Sequence, residues 1–176
     1  MKKVMLLTIF AALMMISSAA VAQTASGTLT VTATVNGSIN LVFNSDASGV
    51  ALSSGAGTNA ATLAFGNVSA FGAISAGIVR STTASNFTVS SAVDVLVTKT
   101  NSASANYTLK AQLGSADAVN TWAVGGIAVT NAAQSTLTAT GTYAANSNFP
   151  VAITVPFTTA SGTLISNTIN YVATAN

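Results

Sequence analysis

The sequence predicts an all-β protein built as an antiparallel sandwich or barrel, and three observations carry that expectation. Apolar and polar residues alternate with a period of two in one short run after another. Clusters of Gly, Ser, Asn and Thr separate the runs at turn-like spacing. Beyond residue 22, no window has the 3.6-residue period of an amphipathic helix.

The first segment reads as an address. Lys2 and Lys3 precede an apolar stretch from Val4 to Ile16, and Ala20-Val21-Ala22 offers a small-x-small cleavage site. Residues 1–22 are therefore expected to be a cleaved signal peptide, with the mature chain starting at Gln23 and secreted. The apolar stretch is short for a membrane span, and no later segment is long and greasy enough to form one. The remaining 154 residues suit one domain with a real core. Residues 23–35 are expected to be an N-terminal donor-type strand, and residues 36–176 the β-sandwich.

The opening run is the longest. Leu29, Val31, Ala33, Val35, Ile39, Leu41 and Phe43 share one parity, and Thr28, Thr30, Thr32 and Thr34 hold the other. Such a strand has one apolar face and one hydroxyl face. It can pair with its own body or with a neighbour's. Within it, Asn36-Gly37 is a hairpin signal, but a two-residue loop would set Ile39, Leu41 and Phe43 opposite threonines. A three-residue loop with Gly37 at positive φ and a continuous or gently bent strand both keep the faces matched.

Residues 45–60 read as a loop, followed by a strand over 61–66 and another over 87–90. Val93, Val95 and Val97 alternate, as do Tyr107, Leu109, Ala111 and Leu113. Further strands are expected over 122–124, 126–130, 135–140, 151–157 and 163–173. Pro150 and Pro156 flank one of these patterns, which predicts an edge strand or a bulge there.

The chemistry that the composition leaves out is as informative. Three cations (Arg80, Lys99, Lys110) balance three aspartates (Asp46, Asp94, Asp117) after residue 22, so no basic surface for nucleic acid is expected. A chain so poor in charge lacks the edge lysines that block sheet-to-sheet pairing, as suits a subunit that polymerises. There is no cysteine, histidine or glutamate. A serine nucleophile has no base, zinc has no ligands, and paired carboxylates would need three distant aspartates; no enzyme, metal or cofactor is expected. Asp46 reads as part of a polar turn, and Asp94 and Asp117 as solvated. Gly55-Ala56-Gly57-Thr58-Asn59-Ala60 fits a dinucleotide fingerprint in letters only, without the strand and helix that it needs. Thr28 to Thr34 and Thr136 to Thr142 form ladders that suit strands and also resemble ice-binding arrays. Asn-x-Ser/Thr triplets at Asn36, Asn67, Asn86 and Asn106 follow from composition.

Three stretches in order resemble the spore coat protein U family, which includes the major pilins of archaic chaperone–usher pili. They are the Gly27–Val35 strand with its continuation, Thr62-Leu63-Ala64-Phe65-Gly66-Asn67-Val68-Ser69, and the closing Gly162–Tyr171 stretch. The chain lacks the cysteine pair usual in that family and runs on past Tyr171. The resemblance implies an incomplete immunoglobulin-like, pilin-like sandwich whose groove accepts the N-terminal strand of the next subunit. Leu29, Val31, Ala33 and Val35 would be the inserted side chains. A periplasmic chaperone would hold the open groove through Ile165, Ile169 and Tyr171, and an outer-membrane usher would exchange it. The chain would pass through the periplasm to the cell surface as a fibre or pilus subunit in a head-to-tail polymer. The alternative is a self-contained secreted β-sandwich, an adhesin or a binding module for ice or carbohydrate.

Overall fold

A computed structural model of the chain describes residues 26–176; the expected signal peptide lies outside the described residues. Two compact units are distinguished, ending and beginning at Thr34 and Val35. Of the first, Ser26–Thr34 carry no strand and every residue is exposed.

The second unit is all-β, with eleven strands and antiparallel ladders throughout. These are β1 (Ser38–Ser45), β2 (Val79–Thr82), β3 (Asn86–Ser91), β4 (Val93–Thr100), β5 (Tyr107–Leu113) and β6 (Thr121–Val124). They are followed by β7 (Ile127–Val129), β8 (Ser135–Gly141), β9 (Asn146–Asn148), β10 (Val151–Pro156) and β11 (Ile169–Ala175). The sheet orders are β1-β4-β9, β2-β3-β10-β6-β7 and β11-β5-β8.

The first two sheets are joined by strands that pass from one into the other. Only Ala92 separates β3 from β4, and burial alternates without a break through Phe87, Val89, Ser91, Val93, Val95 and Val97. Only Phe149 and Pro150 separate β9 from β10. Such corners let one inner face line a continuous core. Ser91, at the corner, is buried because its Oγ accepts the Val50 N–H at 2.7 Å.

That inner face packs against the odd residues of β5. Tyr107, Leu109 and Ala111 are fully buried, and Leu113 nearly so. The Tyr107 ring lies over Gly141, its cross-strand partner, where a Cβ would come within 2.3 Å of the ring. Any larger residue at 141 would push the ring out of the core. Trp122, Val124, Val129, Val151, Ile153 and Val155 complete the apolar filling from β6, β7 and β10.

Several expectations are corrected. Among the described residues, strand structure begins at Ser38 instead of near Leu29. Of the alternatives at Asn36-Gly37, the three-residue loop with Gly37 at positive φ is not formed: Gly37 does not have positive φ, and its α-carbon sits against the Asn101–Ser102 backbone, where a Cβ would meet the Asn101 oxygen at 2.7 Å. Residues 61–66 form no strand, because only Thr62 finds a backbone partner there, a bridge to Ser54. The Pro-flanked strand β10 is central, not an edge. Both prolines stand at its limits, where the ladder requires no N–H from them: Pro150 precedes it, and Pro156 is its last residue, opposite Asn86. The closing strand starts at Ile169 rather than 163 and runs to Ala175. Two short strands, β2 and β9, have too little alternation to be read from sequence.

Candidate functional site

A groove of about 890 Å³ runs between β1 and the approach to β11. Ile39, Leu41 and Phe43 line one wall, and Ile165, Ile169 and Tyr171 the other. Leu52, Leu63 and Phe65 add apolar surface from the loop after β1, and Val93 and Val151 belong to the core beneath. The Phe43 and Tyr171 rings meet edge to face at 5.0 Å, closing the core beside the groove. Burial pushes the Tyr171 phenol pKa up, so the ring stays neutral.

The backbone along this groove is as distinctive as the side chains. Thr168 O accepts from Gly114 N and Asn176 N donates to Asn106 O, which fixes the phase of the β11–β5 ladder. Asn170, Val172 and Thr174 therefore turn their amides and carbonyls toward β5. Ile169, Tyr171 and Ala173 turn theirs the other way, and β11 is the edge of its sheet there. On the opposite wall, Phe43 spends its outward N–H and C=O on Thr58 O (2.9 Å) and Gly57 N (2.7 Å). Ile39 and Leu41 share its parity and have no backbone partner on that side among the described residues. Two facing strand edges thus border a trough lined by apolar side chains and by Asn40, Asn59, Thr62, Ser166 and Asn167, with backbone groups free to pair.

Ile165, Ile169 and Tyr171, singled out from sequence, come together on one wall. Leu29, Val31 and Val35 are 87%, 79% and 73% exposed, and neither they nor Ala33 belong to a strand. Sequence reading missed Leu52, Leu63 and Phe65 as groove residues. The Leu63-x-Phe65 alternation was a signal, but nothing local said that it would face a trough instead of a ladder partner.

The charged residues sit elsewhere. On the outer face of β1, β4 and β9, Asp94 accepts from Asn146 and Asn148, and Asn148 also donates to Asp46 at 2.8 Å. The Ser48 hydroxyl and amide hold the Asp46 carboxyl below its ordinary range. Asp117 is more than solvated. Burial disfavours its charge, but donors from Asn120, Trp122 and Val119 outweigh that and hold its pKa at about 2. The Trp122 indole N–H donates to it at 2.8 Å. No group of three or more acidic, histidine or cysteine side chains that could hold a metal occurs among the described residues. No helix among them is long and apolar enough to cross a membrane.

Compared with known proteins, the chain matches no family model, no curated protein and no solved structure.

Proposed function

We propose that the protein is a structural subunit of a secreted surface fibre or pilus, polymerising head to tail as each groove accepts the 29–35 segment of a neighbouring copy. The observation that carries this reading is the trough between β1 and β11, with Val93 and Val151 of the core beneath it and strand edges at Ile39, Leu41, Ile169 and Tyr171 whose backbone groups have no ladder partner among the described residues. An extended segment with one apolar parity is what such a trough accommodates, since main-chain bonds supply affinity and alternate side chains fill the floor. Leu29, Val31, Ala33 and Val35 supply that parity on a stretch exposed to solvent. Burying these four contributes about 5–10 kcal/mol before backbone pairing is counted. Head-to-tail insertion does not close on itself and generates a filament.

On this reading the domain is an incomplete immunoglobulin-like sandwich of the spore coat U or archaic pilin kind. A periplasmic chaperone covers Ile165, Ile169 and Tyr171 until an usher exchanges it for a subunit, and the product is displayed at the cell surface. The shortage of titratable side chains favours a structural role over an enzymatic one.

Deleting residues 23–35 is the test. A folded, monomeric product that no longer polymerises but still accepts a synthetic 26–37 peptide supports the reading. Loss of the fold on deletion would sink it.

One observation favours the rival, a self-contained module for ice or carbohydrate. Ser81, Thr88, Thr154 and Thr121 stand in register across β2, β3, β10 and β6, a hydroxyl row on an uncharged face. Ice-recrystallisation inhibition abolished by Thr88→Val would promote that rival.

A further inference from the structure

Resting on the fibre reading, we infer that the donated segment runs antiparallel to β11 in one register: Leu29 opposite Tyr171, Val31 opposite Ile169, Ala33 opposite Asn167 and Val35 opposite Ile165. Docking in this way extends β11 backwards to Ile165.

Three independent features converge on this register. The first is phase. In an antiparallel pair, opposite residues share a face, and in the hydrogen-bonded pairs they exchange both N–H···O bonds. The residues of β11 whose backbone faces the groove are Ile169 and Tyr171, and their side chains also face it. Their partners must be the inward-facing residues of the incoming strand, which are its apolar ones. The threonines at 30, 32 and 34 then turn their side chains outward and their backbone toward Ile39 and Leu41 of β1.

The second is length. The trough is lined along the chain from Ile165 to Tyr171, and Ala173 is not part of it. Six steps of strand span about 20 Å, the same as from Leu29 to Val35. A register moved by two residues leaves one apolar side chain of the donor outside the trough.

The third is the state of residues 165–168. Ile165 and Asn167 are half-buried and Ser166 and Thr168 exposed, continuing the alternation of β11 although no strand is formed there. Thr168 O is already bonded to Gly114 N, and the Asn167 amide is tied to the Ser115 backbone at 3.0 and 3.2 Å. On the β5 side the stretch is held by the Thr168 carbonyl and the Asn167 side chain, and on the other side it has no backbone partner among the described residues. Asn167, with its side chain turned to Ser115, falls opposite Ala33, the smallest of the four donors. Antiparallel pairing goes to β11 because its open edge is the longer one: on β1 the Gly57–Thr58 loop already occupies Phe43.

The absence of native cysteine makes a clean test possible in the full-length chain. Single-cysteine variants Ile165→Cys and Ile169→Cys are each co-assembled with Leu29→Cys, Val31→Cys, Ala33→Cys or Val35→Cys, then oxidised mildly. Opposed α-carbons in hydrogen-bonded pairs lie about 5.5 Å apart, within disulfide reach, whereas a two-residue offset puts them beyond about 7 Å. Disulfide-linked dimers are expected from Ile169→Cys with Val31→Cys and from Ile165→Cys with Val35→Cys, at least tenfold over the other mixtures. Crosslinks of Ile169→Cys with Ala33→Cys and Ile165→Cys with Leu29→Cys would mean the reverse orientation and overturn the inference. So would polymers that crosslink at offset pairs or at none. If the copies do not associate at all, as judged by sedimentation of the unmodified chain, the fibre reading fails and takes the register with it.

Discussion

Two segments of this chain carry nearly the same pattern and meet opposite fates. Tyr107–Leu113 alternates apolar and polar residues and becomes β5, with every apolar side chain buried between strands on either side. Leu29–Val35 alternates just as cleanly, yet it forms no strand and leaves its apolar side chains in solvent. The difference lies outside both segments. β5 has β11 on one side and β8 on the other, whereas Leu29–Val35 has no ladder among the described residues. Alternation decides which face a residue takes once a strand forms; a partner decides whether it forms.

The sharpest way to break this contrast is to truncate one residue from each segment. Leu109→Ala, at a fully buried site, is expected to cost about 2–5 kcal/mol in chemical denaturation of the monomer, from lost transfer energy and the cavity left behind. Val31→Ala is expected to change the same midpoint by less than about 0.5 kcal/mol. A large loss at Val31 would mean that the segment belongs to its own core. Assembly reverses the ranking: Val31→Asp should abolish polymerisation by sedimentation, since burying an unpaired carboxylate against the core is strongly disfavoured, while leaving monomer stability unchanged. Next in size, Gly37→Val is expected to destabilise the domain by about 1–3 kcal/mol, because the new side chain must displace the Asn101 backbone. A neutral result there would show that the entry to β1 is looser than its packing implies.

The smallest effect concerns pH. Asp117 ionises at about 2 in the folded domain against an ordinary 3.8. A carboxyl depressed by folding adds stability above its unfolded pKa and loses that contribution as pH falls. Thermal midpoints should therefore decline between pH 4 and pH 2, and Asp117→Asn should flatten that part of the curve.

Much of the fold could be read in the residues, and the failures have physical causes. β3, β4, β5 and β10 were legible because their buried residues recur at every second position. β2 offers one half-buried residue in four and β9 one in three, so their pairing is dictated by neighbours. The stretch over 61–66 misled because Leu63 and Phe65 are packed from one side without being laddered. Of the groove, the β11 wall is legible in the sequence and the loop wall is not. Ile165, Ile169 and Tyr171 lie within seven residues, whereas Leu52, Leu63 and Phe65 reach the trough through a loop whose path is fixed by the Phe43–Thr58 and Ser54–Thr62 bridges. Asp117 was misread because its carboxylate accepts from residues two, three and five positions on, a local knot that alternation does not report.

The prolines that bracket β10 also guard against a mistake. Strands made of Val, Ala, Ile and Thr resemble one another so closely that a chain without cysteine has no covalent means of choosing among offsets. Sliding β10 along β3 or β6 would carry a pyrrolidine ring into the middle of the sheet, where it offers no hydrogen and obstructs its neighbour. Misaligned versions of the central strand are thereby penalised while the molecule folds, leaving the native alignment as the one that fits.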